Sequence, residues 1–173
     1  MIGLRTVRDD NIIKQKKIRQ GKVGDKVEAL KGIRILDLTR LLPGPYCSMM
    51  LADFGAEVIK IEEPLAGDYA RDFPPAQNGF GFWHLQLNRN KKSLAVDLKT
   101  KEGKEVFFRL FKKADVVMES YRPGVLKRLG IDYETARKIN PKIVYCSLSG
   151  YGKRGPRVNE ADHDINYVSL AGI

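Results

Sequence analysis

Hydrophobic positions recur in short bursts along this chain, and from Ile33 onward each burst has a clear period. Ile33-Arg34-Ile35-Leu36-Asp37-Leu38 is a short apolar run with β-branched residues, which predicts a buried strand. Leu42-Pro43-Gly44-Pro45 breaks it, and Pro45 suits the first position of a helix. That helix is expected over Tyr46 to Phe54, with Gly55 as its terminating glycine. Val58-Ile59-Lys60-Ile61 predicts a second strand, which completes a unit the size of a parallel β-α-β crossover.

The alternation continues. Ser93 to Leu98 reads as a strand, and residues 102–113 place Val106, Phe107, Leu110 and Phe111 on one helical face. Asp115 to Glu119 reads as a strand. Asp132 caps a short helix to Ile139 that Pro141 ends, and Ile143 to Leu148 is a further strand. The expected fold class is α/β, a Rossmann-like parallel sheet with flanking helices. Residues 64–90, rich in Gly, Pro and aromatics, read as a long insertion that is either functional or disordered. Leu170 to Ile173 read as part of a new helix without a cap, and the chain is expected to be the front part of a longer protein. Residues 1–29 show no steady period and are expected to form a basic flexible leader, leaving 30–173 as the domain.

Charge changes this picture less than its size suggests. The 173 residues carry a formal net charge of +10, but residues 1–31 hold nine basic and four acidic side chains. Half of the excess therefore belongs to the leader. The remaining mildly basic domain suits an anionic small molecule, and no recognition motif supports a nucleic-acid partner. No apolar run approaches the ~18 residues that a membrane span needs, and no secretory h-region is present. Cys47 and Cys146 form neither a disulfide framework nor a metal set, which suggests packed thiols in a reducing cytoplasm.

Three segments offer chemistry. Gly150-Tyr151-Gly152-Lys153-Arg154-Gly155 fits G-x-G-x-x-G after a strand, but Pro156 and a polar stretch follow where a nucleotide site needs a helix. A strand-exit loop is the other reading. Asn88-Arg89-Asn90-Lys91-Lys92-Ser93 sets three cations beside a strand, which either hold phosphates or form a solvated turn. In Asp162-His163-Asp164-Ile165-Asn166-Tyr167, His163 is either a general base or part of a helix start capped by Asp162. Three adjacent residues cannot share one helical face, so this cluster is not a metal site. His84, after Trp83 in the insertion, reads as structural.

From about Leu30 the chain resembles the family III CoA-transferases, and within them the α-methylacyl-CoA racemases. The resemblance rests on an ordered series. It runs from Gly32–Leu38 through Pro43-Gly44-Pro45, Leu51–Lys60, Asn88–Lys99, Tyr121–Val125 and Gly150-Tyr151-Gly152 to His163–Tyr167. It implies a Rossmann-like N-terminal domain of a protein twice this length or more, present here truncated, whose full-length chains interlock as a homodimer. The implied substrate is a coenzyme A thioester, with no covalently bound cofactor and no metal. Transferase members use an Asp nucleophile, which would lie beyond Ile173. Racemase members move the proton α to the thioester with a His and an Asp.

The resemblance assigns His163 as the catalytic base. It places Val96, Asp97, Leu98, Lys99, Ser120, Tyr121, Arg122, Arg128 and Asp162, His163, Asp164, Ile165, Asn166 and Tyr167 along the CoA site. The first N–H groups around Asp164 to Asn166 are expected as oxyanion donors. Glu63 stands where members carry an Arg for CoA, Asp162 replaces a Gly, and Leu42 replaces the Gln of formyl-CoA transferases. The expected activity is 2-methylacyl-CoA racemase-like. The alternatives are a CoA-transferase acting through the downstream Asp, or an inactive truncated product.

Overall fold

The computed structural model describes residues 28–173. The expected leader lies outside the described residues except for Glu28 and Ala29. Five parallel strands form the main sheet: β1 (Arg34–Leu38), β2 (Glu57–Glu62), β5 (Lys91–Ala95), β6 (Val116–Glu119) and β7 (Val144–Ser147). Their order is β5-β2-β1-β6-β7. Strands run outward from β1 in both directions, so the sheet has a topological switch point between β1 and β6.

Strand alternation divides the core. Leu36, Leu38, Ile59, Ile61 and Val117 share one face with Phe107 and Phe111 of α3 (Lys101–Phe111). Ile35, Val58 and Met118 occupy the other face, against Ala52 of α1 (Pro43–Asp53). On that second face the apolar pattern stops near the strand ends, where Asp37, Lys60 and Glu62 take the inward positions and are buried.

The sequence-predicted elements are present with shifted ends. Helix α1 starts at Pro43, because both prolines fall in its first turn, where a missing N–H costs nothing. Phe54 caps it and Gly55 follows at φ 94°. The strand expected over Ser93–Leu98 is Lys91–Ala95, since Asp97 turns the chain by accepting the Lys99 N–H at 2.9 Å. Residues 64–90 are built rather than irregular. They contain a 3₁₀ turn (Tyr69–Arg71), a short hairpin of β3 (Ala76–Gln77) and β4 (Phe80–Gly81), and α2 (Phe82–Leu87). Helix α4 (Val125–Leu129) was not foreseen, and Gly124 and Gly130, both left-handed, bracket it. Helix α5 (Tyr133–Ile139) has the expected cap, with Asp132 accepting from the Glu134 and Thr135 N–H groups.

Helix α6 (Asp164–Ala171) differs at both ends from the sequence expectation. Its N-cap is His163, not Asp162, and Gly172 at φ 84° closes its C-terminus. It buries none of its residues.

Candidate functional site

Loops leaving the C-terminal ends of parallel strands meet along one edge of the sheet, which is where open α/β folds bind ligands. All the sequence-predicted site residues lie on such loops or on the helices that follow them. Val96–Lys99 follow β5, Ser120–Arg122 follow β6 with Arg128 in α4, and Asp162–Tyr167 follow β7. The set therefore runs from one edge strand to the other, across about 19 Å of sheet at the usual strand spacing.

Its members contribute differently. Val96 and Leu98 are core residues, so only the backbone, Asp97 and Lys99 of that segment can meet a ligand. Thr100 caps α3 through the Gly103 N–H, and Gly103 lies so close that a Cβ there would sit 1.9 Å from the Asp97 carbonyl oxygen. Arg122 and Arg128 are exposed. Ser120 Oγ accepts the Arg40 N–H at 3.0 Å, tying the β6 exit to the β1 exit at the switch point.

Beneath Tyr121 lies the buried carboxylate of Glu119. It accepts the Tyr121 N–H at 2.9 Å, the Ser147 hydroxyl and the Lys153 ammonium at 2.9 Å. Lys153 belongs to the glycine-rich stretch, whose nucleotide reading fails because no helix follows until Asp164. Its first glycine has a packing role: a Cβ at Gly150 would lie 2.2 Å from the Tyr167 hydroxyl oxygen.

His163 is exposed at the start of α6. The carboxylate expected beside it is occupied elsewhere. Asp162 accepts from the Tyr151 hydroxyl, which pushes that phenol up to about 12, and its carbonyl accepts from Tyr167 Oη at 3.1 Å. The tyrosine rings meet edge-on at 5.3 Å, and Arg157 covers Tyr151. Of the expected oxyanion donors, the Asn166 N–H is bonded to the His163 carbonyl at 3.0 Å. Those of Asp164 and Ile165 open the helix and have no intrahelical partner.

The cation-rich turn is partly solvated, with Arg89 and Lys92 exposed and Lys91 buried, and each cation meets an acid of this chain. Arg89 pairs with Asp53 at 2.6 Å and Lys92 with Glu57 at 2.5 Å. Lys91 is buried against Asp37 at 3.1 Å, and also donates to Ser48, Asn88 and the Pro45 carbonyl. Burial raises the Asp37 carboxyl, but Lys60, Lys91 and the Ser48 and Thr39 hydroxyls outweigh it and hold the group below its ordinary value. His84 is buried, its imidazole pushed down by burial, then by Arg71, in keeping with a structural role.

Sequence reasoning missed Arg40 and the buried pair Lys60–Asp68, 2.8 Å apart. A lysine inside a predicted strand was the available signal, since a buried ammonium requires an anion. Among the described residues no group of His, Cys, Asp and Glu is arranged to hold a metal ion, and no helix is long and apolar enough to cross a membrane.

The family described as CoA-transferase family III matches residues 30–173. The chain belongs to CoA-transferase family III. Among its relatives in that family, the succinyl-CoA:glutarate CoA-transferase of Mus musculus is 45% identical over 150 residues, covering 86% of this chain and 34% of the mouse protein. The alpha-methylacyl-CoA racemase of Homo sapiens is 39% identical over 145 residues, covering 84% and 34%. A crystal structure of a CAIB/BAIF family protein from Brucella suis superposes with a TM-score of 0.79 at 38% identity, covering 83% of this chain and 39% of that one. The chain thus spans about a third of the length of these curated family III relatives.

Proposed function

We propose that residues 30–173 bind the coenzyme A thioester in an enzyme that moves CoA between carboxylic acids. The observation that carries this reading is the 45% identity to the mouse succinyl-CoA:glutarate CoA-transferase, above the 39% identity to the human racemase. Among the described residues no carboxylate lies within ion-pair reach of the His163 imidazole, and the neighbouring Asp162 is held by Tyr151. The acid–base pairing that would orient and tune a proton-shuttling histidine is therefore not provided by this segment. The mouse relative at 45% identity and a bacterial succinate–glutarate CoA-transferase at 41% support transfer chemistry.

In this reading the exposed cations Lys99, Arg122 and Arg128 hold the phosphates of CoA, and the free N–H groups of α6 face the thioester. The acyl nucleophile comes from outside these residues. A cytoplasmic setting and an interlocked homodimer belong to the same proposal, as does the N-terminal position of residues 30–173 in a longer enzyme.

A second reading, 2-methylacyl-CoA racemisation with His163 as base, is favoured by the exposed imidazole at the start of His-Asp-Ile-Asn-Tyr and by the human racemase at 39% identity. The test uses an enzyme of full family length carrying these residues, given in deuterated water either succinyl-CoA with ¹³C-glutarate or, separately, 2-methylacyl-CoA. Transfer yields labelled glutaryl-CoA without solvent deuterium at its α-carbon. Deuterium entering 2-methylacyl-CoA, lost in His163→Gln, would instead establish racemisation.

A further inference from the structure

We infer that Arg40 is the receptor for the free carboxylate of the acid partner, an inference that rests on the transfer reading above. Arg40 follows β1 at the switch point, in a cleft lined by Thr39, Lys60, Glu62, Glu63, Asp68 and Tyr121. Its guanidinium carbon lies 4.6 Å from the Tyr121 ring centroid and 5.6 Å from that of Tyr69. Nη1 donates to the Tyr69 hydroxyl at 3.2 Å, and no carboxylate pairs with the group among the described residues. A guanidinium has five N–H donors in a planar fork, so four remain for a ligand. Two aromatic faces fix the plane of that fork before any ligand arrives, which removes much of the ordering cost of binding.

The surrounding backbone is held in an unusual shape to achieve this. Leu41, the next residue, has φ 64°, a left-handed conformation that is unfavourable for a non-glycine residue. The buried Asp68 carboxylate holds it there by accepting the Leu41 N–H at 3.1 and 3.3 Å. Lys60, pairing with Asp68, also donates to the Thr39 carbonyl at 2.6 Å. The residues on both sides of Arg40 are therefore clamped by one buried ion pair, while its own side chain meets no acid among the described residues. Strain of this kind, maintained by buried charges, marks positions where geometry serves a ligand.

The charges of the cleft select the anion. Lys60 is neutralised by Asp68, and Glu62 accepts from Nε and Nη2 of Arg71 at 3.0 and 2.7 Å. Glu63 remains exposed, its carboxylate accepting from the Leu65 and Ala66 N–H groups. One free cation beside one residual anion favours a planar, singly charged carboxylate over a doubly charged phosphate. Such a carboxylate can take two parallel N–H bonds from the fork.

The test observes the Arg40 side-chain Nε–H resonance in the ¹⁵N-labelled 173-residue chain, titrated separately with glutarate, inorganic phosphate and coenzyme A at constant ionic strength. A saturable shift with glutarate and at most a weak, unsaturated one with phosphate is expected. Arg40→Lys, followed through the backbone amides of Leu41 and Tyr121, should weaken glutarate binding at least tenfold, because it keeps the charge and loses the fork. Tyr121→Leu should weaken it less, with the Arg40 resonance still reporting. An Arg40 resonance that ignores glutarate, or answers phosphate or CoA equally well, overturns the inference. A glutarate response at Arg40 alongside α-proton exchange and no CoA transfer in the full-length enzyme would instead remove the transfer reading and leave the carboxylate receptor standing.

Discussion

Lys91 and Asp37 stand 54 positions apart and meet as an ion pair at 3.1 Å, with 1% and 0% of their side chains exposed. Lys91 opens the edge strand β5, and Asp37 lies near the end of the central β1. The pair spans β2 and joins the α2–β5 turn to the start of α1 through Ser48 and the Pro45 carbonyl. Removing one partner of such a pair strands the other charge in the interior, at about 3–5 kcal/mol, whereas replacing both with apolar residues is often neutral. Lys91→Met should therefore lower stability by roughly that amount in urea unfolding, and Lys91→Met with Asp37→Leu should recover most of it. A double variant no better than the single one would show that the hydroxyls and carbonyls around the pair matter more than the charges.

Acid should weaken this fold through the same region. The Asp37, Glu62 and Asp68 carboxyls all sit below their ordinary values, because cations and hydrogen bonds outweigh the upward push of burial. A carboxyl depressed in the folded state contributes stability above its unfolded pKa, about 4, and loses it as pH falls through the folded value. The urea midpoint is expected to hold near pH 6 and to drop steadily below about pH 4. Asp68→Asn, less stable at pH 6, should show a shallower drop. A midpoint unchanged down to pH 3 would contradict the coupling of these buried charges to folding.

Gly103 connects helix packing to the candidate site. In most helices Gly→Ala adds up to about 1 kcal/mol of stability. Here the added methyl would meet the Asp97 carbonyl oxygen at 1.9 Å, backbone that cannot swing aside. Gly103→Ala is expected to destabilise by about 1–3 kcal/mol, as overpacking does. It should also displace Asp97 to Lys99, visible as amide shifts confined to that turn and the start of α3. A stabilised variant with an unmoved turn would show that the contact relaxes freely.

The alternation of strands and helices was legible because each strand is a short β-branched run and each helix buries a periodic face, as Phe107 and Phe111 do. The Asp132 cap and the Gly55 stop were legible because local chemistry determines them. The roles of Lys60, Lys91 and Asp37 were not, because a charge in a strand pattern carries no sign of its distant partner. The same holds for Arg40, whose setting is made by Tyr69 and Tyr121, 29 and 81 positions away. His163 was legible as a candidate base in its polar cluster, and the resemblance favoured that role, but its place as the α6 cap, with Asp162 taken by Tyr151, depends on the fold.

A CoA ester is expected to lie along the edge formed by the C-terminal strand ends. The most direct measurement is a titration of the ¹⁵N-labelled 173-residue chain with acetyl-CoA, following backbone amides. Saturable shifts are expected at Asp97–Lys99, Ser120–Arg122, Arg128 and His163–Tyr167, weakened when Lys99 and Arg128 are both replaced by Ala. Shifts confined to the opposite edge of the sheet, where Arg34, Glu57 and Asp115 lie, or no saturable binding at all, would contradict it.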